Sequence, residues 1–361
     1  MVILAIFVAV IFSVVVVVAI VSARKAGNKT EPAADQDVER VRAPQRPRSL
    51  RSSRSSNGER QAVSLPVDAT VTFADERRSA GIDEVLDALD ADLVGLVPVK
   101  KKVQEVAALL LVDRARNRFG LEAPRPNLHM CFTGPPGTGK TTVALRMADL
   151  LHRLGYLERV QLVHAMRDDL VGEYIGQTAP KTKRTLDRAM GGLLFIDEAY
   201  YLYRDSDSKD YGQEAIEILV QMMENHRDKL VVILAGYKDR MDDFFKSNPG
   251  MSSRIAHHLD FAPYEVGELA DIARLMLTQT RYYLSEEAEE AFRHYITRQM
   301  GEPRFANARS VRNELERARL RHAHRLTSDP GRNWTRDELM RIEPVDIVAG
   351  HDDWLAERQQ L

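Results

Sequence analysis

Apolar positions along the chain fall into three regimes. From Ile3 to Ala23 they are nearly continuous and uncharged, and about 21 residues of helix reach about 31 Å, the thickness of a bilayer core. Residues 1–23 therefore predict a single-pass membrane anchor. A secretory signal would carry a basic start and a shorter apolar core, and neither is present. Arg24, Lys25 and Lys29 follow the run with no Lys or Arg before it, which places the bulk of the chain on the cytoplasmic side of the membrane. The alternative is a targeting presequence, whose removal would leave a soluble protein of the cytoplasm or plastid stroma. Residues 24–71 lose the apolar pattern for Arg, Ser, Pro and Ala, the composition of a disordered linker.

Pattern returns near Phe73. Ile82 to Leu89, Leu93 to Val99 and Val103 to Arg118 carry apolar residues at helical spacing. Short continuous apolar runs then alternate with such helices. Leu128–Phe132, Val160–Val163, Leu193–Ile196, Leu230–Ala235 and a segment through Leu259 and Phe261 read as buried strands. Val143–Leu151, Ala179–Met190 and Gly212–His226 read as the helices between them, the last with Ile216, Leu219, Val220 and Met223 on one face. Strands alternating with helices predict a parallel α/β sheet over 72–262. Beyond Pro263 the strands stop. Amphipathic helices at about 264–279, 285–300 and 308–324 make 263–361 a small helical domain, with the tail 330–361 and its Trp334 and Trp354 packing partly on it.

Composition changes little in this picture. A chain of 361 residues with net charge −2 balances 51 basic against 53 acidic side chains, and no basic stripe interleaved with aromatics points to nucleic acid. The single Cys131 excludes an intramolecular disulfide and sits in a predicted strand, where a buried small hydrophobe is expected. His257 and His258 have no partner at metal-ligand spacing and read as structural.

Candidate chemistry concentrates at two strand ends. Gly134-Pro135-Pro136-Gly137-Thr138-Gly139-Lys140-Thr141-Thr142 is a P-loop pattern set between a strand and a helix. Its glycines let successive N–H groups face phosphates, Lys140 would neutralise phosphate charge, and the Thr141 hydroxyl would ligate Mg2+. Leu193 to Ile196 ends in Asp197 and Glu198. At the end of a parallel strand beside a P-loop, Asp197 can hold Mg2+ and Glu198 can polarise the water that attacks the γ-phosphate. ATP and Mg2+ are the predicted cofactors. The turn at Gly95-Leu96 is expected against the adenine. Arg309 and Arg312 open the last long helix, and each is either a helix-surface charge or a group reaching back to the nucleotide. Arg254 is a surface charge unless the protein assembles, when it could face a neighbour's γ-phosphate. Residues 167–178 read as a loop in which Tyr174 and Ile175 stand between Gly172 and Gly176. They are either a buried loop anchor or an exposed contact.

The chain resembles the CbxX/CfqX group of AAA+ ATPases, the CbbX-type red-type Rubisco activases, over residues 75–327. The resemblance rests on Leu111 to Arg116, the P-loop, Leu150 to Tyr156, Arg167 to Gly172, Ala189 to Gly192, Phe195 to Tyr203, Asp210 to Ile216 and Phe305 to Ser310. It implies an AAA+ P-loop NTPase fold with a parallel sheet core and a C-terminal all-helical lid, assembled as a homo-hexamer. It implies that Tyr174, Ile175 and Gly176 form a pore loop gripping a threaded peptide, that Arg254 is the arginine finger and that Arg309 is the lid's sensor 2 residue. The implied task is to pull the large-subunit tail of inhibited red-type Rubisco so that bound sugar phosphate escapes, with ribulose bisphosphate as allosteric effector. Three departures stand out. Ser252 replaces a second Arg near Arg254, Ala235-Gly236-Tyr237 offers no sensor 1 Asn, and the apolar N-terminus is foreign to a soluble activase. That N-terminus favours ATPases of type VII secretion or sporulation from the same group. A membrane-bound nucleotide-switch scaffold is a further alternative, against which the intact Lys140, Asp197 and Glu198 argue.

Overall fold

Five of the short apolar runs pair side by side, because only a sheet covered on both faces satisfies the backbone of segments this hydrophobic. The computed structural model describes residues 65–66, 68–121, 123–203 and 211–347. The expected anchor at 1–23, most of the linker at 24–71 and Trp354 lie outside the described residues. Among the described residues no helix is long and apolar enough to cross a membrane. At the end of the expected linker the Leu65 N–H already donates to the Arg118 carbonyl at 2.7 Å.

The strands are β1 (Met130–Thr133), β2 (Leu162–Ala165), β3 (Leu193–Ile196), β4 (Val231–Gly236) and β5 (His257–Asp260), all parallel in the order β2-β3-β4-β1-β5. The three inner strands are buried at every position, whereas the edge strands alternate, as a period of two with one covered face requires. Register sets Thr133 opposite Gly236 and Ile196 opposite Leu234. The residues that follow β1, β3 and β4 therefore emerge together at one edge of the sheet.

Alternate side chains feed two cores. Phe132, Phe195 and Ile233 face the helices Ile82–Asp92, Val97–Arg118 and Lys140–Arg153, whose apolar residues continue into the lid. Cys131, Leu194, Ile196 and Leu234 face the helices Thr178–Ala189 and Gly212–Asn225. Burial pushes the Cys131 thiol up to about 12, which agrees with the expected buried hydrophobe. The first helix, Phe73–Ala80, is held by Glu76, a carboxylate 2% exposed and paired with both Arg114 and Arg118.

The lid helices are Val266–Gln279, Glu286–Met300 and Ala308–Thr327. One expectation is corrected here. Strands do not stop at Pro263, because Tyr283–Leu284 and Arg341–Ile342 pair in parallel. Two residues are too few to show a hydrophobic period. The expected packing of the tail is present as far as it is described: Arg325 donates to the buried Asp346 carboxylate at 2.7 Å, which seats the turn Pro344–Ile347 on the lid.

Candidate active site

Where β1, β3 and β4 end, the lid leaves a cavity of about 570 Å3, within the range of roughly 300–1,000 Å3 typical of small-molecule sites. Gly134, Pro136 to Thr142, Asp197 and Glu198 line it from the sheet, and Arg309 and Arg312 line it from the lid. The sequence names each of these residues and sets Asp197 and Glu198 beside the P-loop, but leaves Arg309 and Arg312 open between the helix surface and the nucleotide.

The P-loop needs its glycines for two reasons. Gly134, Gly137 and Gly139 have φ of 144°, 74° and 92°, conformations costly for residues with a Cβ. A Cβ on Gly137 would also fall 2.1 Å from the Ala306 carbonyl oxygen, and one on Gly134 2.2 Å from that of Phe261. The second reason is tertiary: the lid's entry loop rests on the P-loop backbone. Thr138 closes the loop by donating to the Pro135 carbonyl at 2.9 Å. Lys140 donates to the Gly134 and Pro135 carbonyls at 2.8 and 2.7 Å. Burial lowers its pKa; Asp197 counters this, and Arg309 adds to the lowering. The ammonium is thus an under-solvated cation that a polyanion would stabilise.

At the end of β3 the Asp197 N–H donates to the Ala165 carbonyl at 2.9 Å, and Asp197 in turn accepts the Glu198 N–H at 3.0 Å. Glu198 has a left-handed φ of 49°. His164 from the edge strand stacks on Phe195 and brings its Nε2 to 3.7 Å from Asp197. The donor set fits a nucleoside triphosphate with Mg2+. Lys140, Arg309 and Arg312 supply cations from two sides, and the acid Asp92 is already engaged by Arg146. Thr141 and Asp197 offer hard oxygen ligands. Among the described residues no group of three or more His, Cys, Asp or Glu could hold a metal by itself, so a cation here would take further ligands from phosphate and water.

The apolar end of the cavity corrects one expectation. Leu93, Val94, Ile272, Leu275 and Met276 line it, and the Gly95-Leu96 turn does not. Gly95, at φ 60°, is pressed against Glu268, whose Oε1 would stand 1.8 Å from a Cβ, and Leu96 is buried. The turn thus supports the wall from behind. Sequence reasoning missed Tyr264 and Asn307. The Tyr264 hydroxyl donates to the Thr138 carbonyl at 3.3 Å and its N–H to Asn307 Oδ1 at 3.1 Å. No spacing rule marks a lone Tyr or Asn as a clasp between domains. Tyr237, where no sensor 1 was assigned, also lines the wall.

Arg254 does not line this cavity. Its Nη1 donates to the Gly250 carbonyl at 2.9 Å, while its Nε is buried without a hydrogen bond, 3.4 Å from Glu224. Ser252 ends the short helix before it. The segment 167–178 opens as a helical turn, Arg167–Leu170, rather than a loop. Tyr174 and Ile175 are 66% and 85% exposed, which removes the buried-anchor alternative. Beyond them a Cβ added at Gly176 would meet no heavy atom within 4 Å. The base of this tip is pinned. Gly172 N–H donates to Thr178 Oγ1 at 3.0 Å, and Thr182 and Thr185 donate to the Leu170 and Asp169 carbonyls at 2.8 Å each.

Residues 130–262 match the family described as "ATPase family associated with various cellular activities (AAA)", and residues 265–357 match the AAA lid domain. The chain is 59% identical over 289 residues to the plasmid-encoded protein CbxX of Cupriavidus necator, covering 80% of this chain and 90% of that one. It is 63% identical to protein CbbX of Cereibacter sphaeroides over 70% of this chain and 81% of the relative. It is 57% identical to the chloroplastic ribulose bisphosphate carboxylase/oxygenase activase of Cyanidioschyzon merolae, over 77% and 95% respectively.

Proposed function

We propose, for a chain that belongs to the CbxX/CfxQ family of AAA ATPases, that ATP hydrolysis in the described cavity drives a hexameric motor that reactivates inhibited red-type Rubisco. The observation that supports the reading is that one chain carries both a cavity lined by cations and acids and an exposed apolar tip on a pinned base. Lys140, Asp197, Glu198 and Arg309 share the cavity. Tyr174 and Ile175, adjacent in sequence, are 66% and 85% exposed at the tip of one loop, a paired apolar surface that supports contact with a partner.

Bound Mg2+-ATP supplies an electrophilic γ-phosphorus and a metal that spreads its developing charge. The backbone N–H groups of Gly137 to Thr142 would bind the phosphates, with Gly134, Pro135 and Pro136 shaping the loop, and Lys140 would exchange its two carbonyl partners for phosphate oxygens. Thr141 and Asp197 would hold the metal, and Glu198 would take up the proton of the attacking water. Arg309 reads the nucleotide from the lid, so that lid angle follows the state of the site. Arg254, outside this cavity, serves the neighbour's site in the ring. Tyr174, Ile175 and Gly176 grip the large-subunit tail, and ribulose bisphosphate acts as effector.

The test measures phosphate release by the purified protein with and without ribulose bisphosphate, and recovery of inhibited red-type Rubisco in the same tube. Stimulated release with recovery is the expected result. Lys140→Ala should abolish nucleotide binding, and Glu198→Gln should bind ATP but release phosphate slowly. Hydrolysis that neither responds to ribulose bisphosphate nor recovers Rubisco would leave an AAA motor with a different client and favour the secretion or sporulation reading. Nucleotide binding without sustained phosphate release would favour the switch scaffold.

A further inference from the structure

We propose that Tyr200 is a positioning residue for Glu198, and that its hydroxyl, steadied by Tyr201, Tyr237 and Arg240, sets the rate of hydrolysis without contributing to nucleotide affinity. The proposal rests on the reading of Glu198 as the group that activates water.

Glu198 leaves β3 in a left-handed conformation, which turns its side chain away from the line of the strand. Its carboxylate accepts the Tyr200 hydroxyl at 3.1 Å. A glutamate carries three rotatable bonds, and a carboxylate that must meet one water gains from a fixed partner. Tyr200 can serve as that partner because it is itself fixed. It is 7% exposed and lies in the one-turn helix Ala199–Leu202, whose first turn is closed by the Tyr201 N–H donating to the Glu198 carbonyl at 2.9 Å. The ring centroid is 4.6 Å from that of Tyr201 and 6.2 Å from that of Tyr237.

Arg240 lies over all three rings, its guanidinium carbon 5.1, 6.0 and 5.6 Å from the centroids of Tyr200, Tyr201 and Tyr237. It also donates to the Tyr201 hydroxyl at 3.3 Å. Space for this cluster is reserved by the last residue of β4. A Cβ on Gly236 would fall 2.8 Å from Tyr200 Cδ1, so any larger residue there would displace the ring. Burial and the Glu198 carboxylate both raise the Tyr200 pKa, so the phenol remains a donor at working pH. The cluster joins the ends of β3 and β4, since Tyr237 lines the same cavity as Glu198.

The test uses the full chain and compares Tyr200→Phe, Arg240→Ala, Glu198→Gln and the double variant Tyr200→Phe/Glu198→Gln. Tyr200→Phe keeps the buried ring and removes only the hydroxyl. Its kcat should fall on the order of ten- to a hundredfold, the usual worth of a hydrogen bond to a charged group. ATP affinity, KM and the unfolding midpoint should not move. Arg240→Ala should lower kcat in the same direction by about two- to fivefold, as loss of an exposed cation–π contact would. In the Glu198→Gln background the Tyr200 substitution should cost little more, because the two act as one unit. Wild-type kcat in Tyr200→Phe would overturn the proposal, as would a loss that appears equally in affinity or folding, or full additivity in the double variant. The two readings fail separately. Undiminished turnover by Glu198→Gln would remove Glu198 itself from the mechanism, whereas an inactive Glu198→Gln beside an undiminished Tyr200→Phe would remove only Tyr200.

Discussion

Replacing Asn307 by Ala should loosen the lid from the P-loop and destabilise the protein by an amount that the geometry specifies. Asn307 is 2% exposed and precedes the lid helix Ala308–Thr327. Its Oδ1 accepts the buried Tyr264 N–H at 3.1 Å, and its Nδ2 donates to the Pro136 carbonyl at 3.2 Å. Removing the side chain strands the Tyr264 N–H away from water, at about 1–3 kcal/mol. The Pro136 carbonyl borders the cavity, where water can replace the lost donor, so that bond is worth about 1 kcal/mol. The sum is about 2–4 kcal/mol against a total stability on the order of 5–15 kcal/mol. Asn307 also has φ 47° and ψ −127°, a conformation that Gly adopts freely and Ala resists, so Asn307→Gly should be roughly 1 kcal/mol less damaging than Asn307→Ala. Urea unfolding followed by tryptophan fluorescence and far-UV circular dichroism should show the Ala variant's midpoint lowered by about 1 M and the Gly variant between it and wild type. Nucleotide affinity should fall in both. The reasoning is refuted if the Ala midpoint stays at the wild-type value, or if Gly is the worse of the two.

Tyr174→Ala should leave basal phosphate release unchanged, since the residue lies outside the cavity, and should lose recovery of inhibited Rubisco; undiminished recovery would count against the grip assigned to this tip. His129 is buried with Nδ1 accepting the Val232 N–H at 3.0 Å and Nε2 3.0 Å from the Met223 carbonyl, and burial lowers its pKa below 6.5. Between 6.5 and the lower folded value the unfolded chain binds the additional proton, so stability is full above 6.5 and falls as pH drops through that window. Unfolding midpoints should decline on acidification, less steeply in His129→Gln, and equal slopes would sink the assignment. Cys131, with a thiol pKa pushed up to about 12 and 0% exposure, should resist iodoacetamide in the native protein at pH 8 and react once urea unfolds the chain; native-state labelling at the rate of a free thiol would show that β1 opens.

The α/β order, the three lid helices and the residues of both strand-end motifs were legible because each depends on local pattern. Buried parallel strands demand continuous apolar runs, as in Val231 to Ala235, and helices that cover them repeat with their own period. The P-loop is equally local, since its glycines and Lys140 are consecutive. Tyr283–Leu284 escaped because two residues carry no period, and the Gly95-Leu96 turn misses the cavity by one step along the chain, since its neighbours Leu93 and Val94 do line it.

What the sequence by itself determined, then, is which residues are equipped for nucleotide chemistry and which segments must be buried. The tertiary structure alone decided which of them meet. Arg309 and Arg312 read equally as surface charges until the lid folded back over Gly137, at a distance only a glycine permits. Tyr174 and Ile175 read as anchor or contact until Thr178, Thr182 and Thr185 pinned the base of their loop and left the tip outside. Tyr200 and Asn307 had no reading at all, because a single hydrogen bond between distant elements follows from where the packed cores bring two backbones together, and no pattern along one stretch of chain encodes that distance.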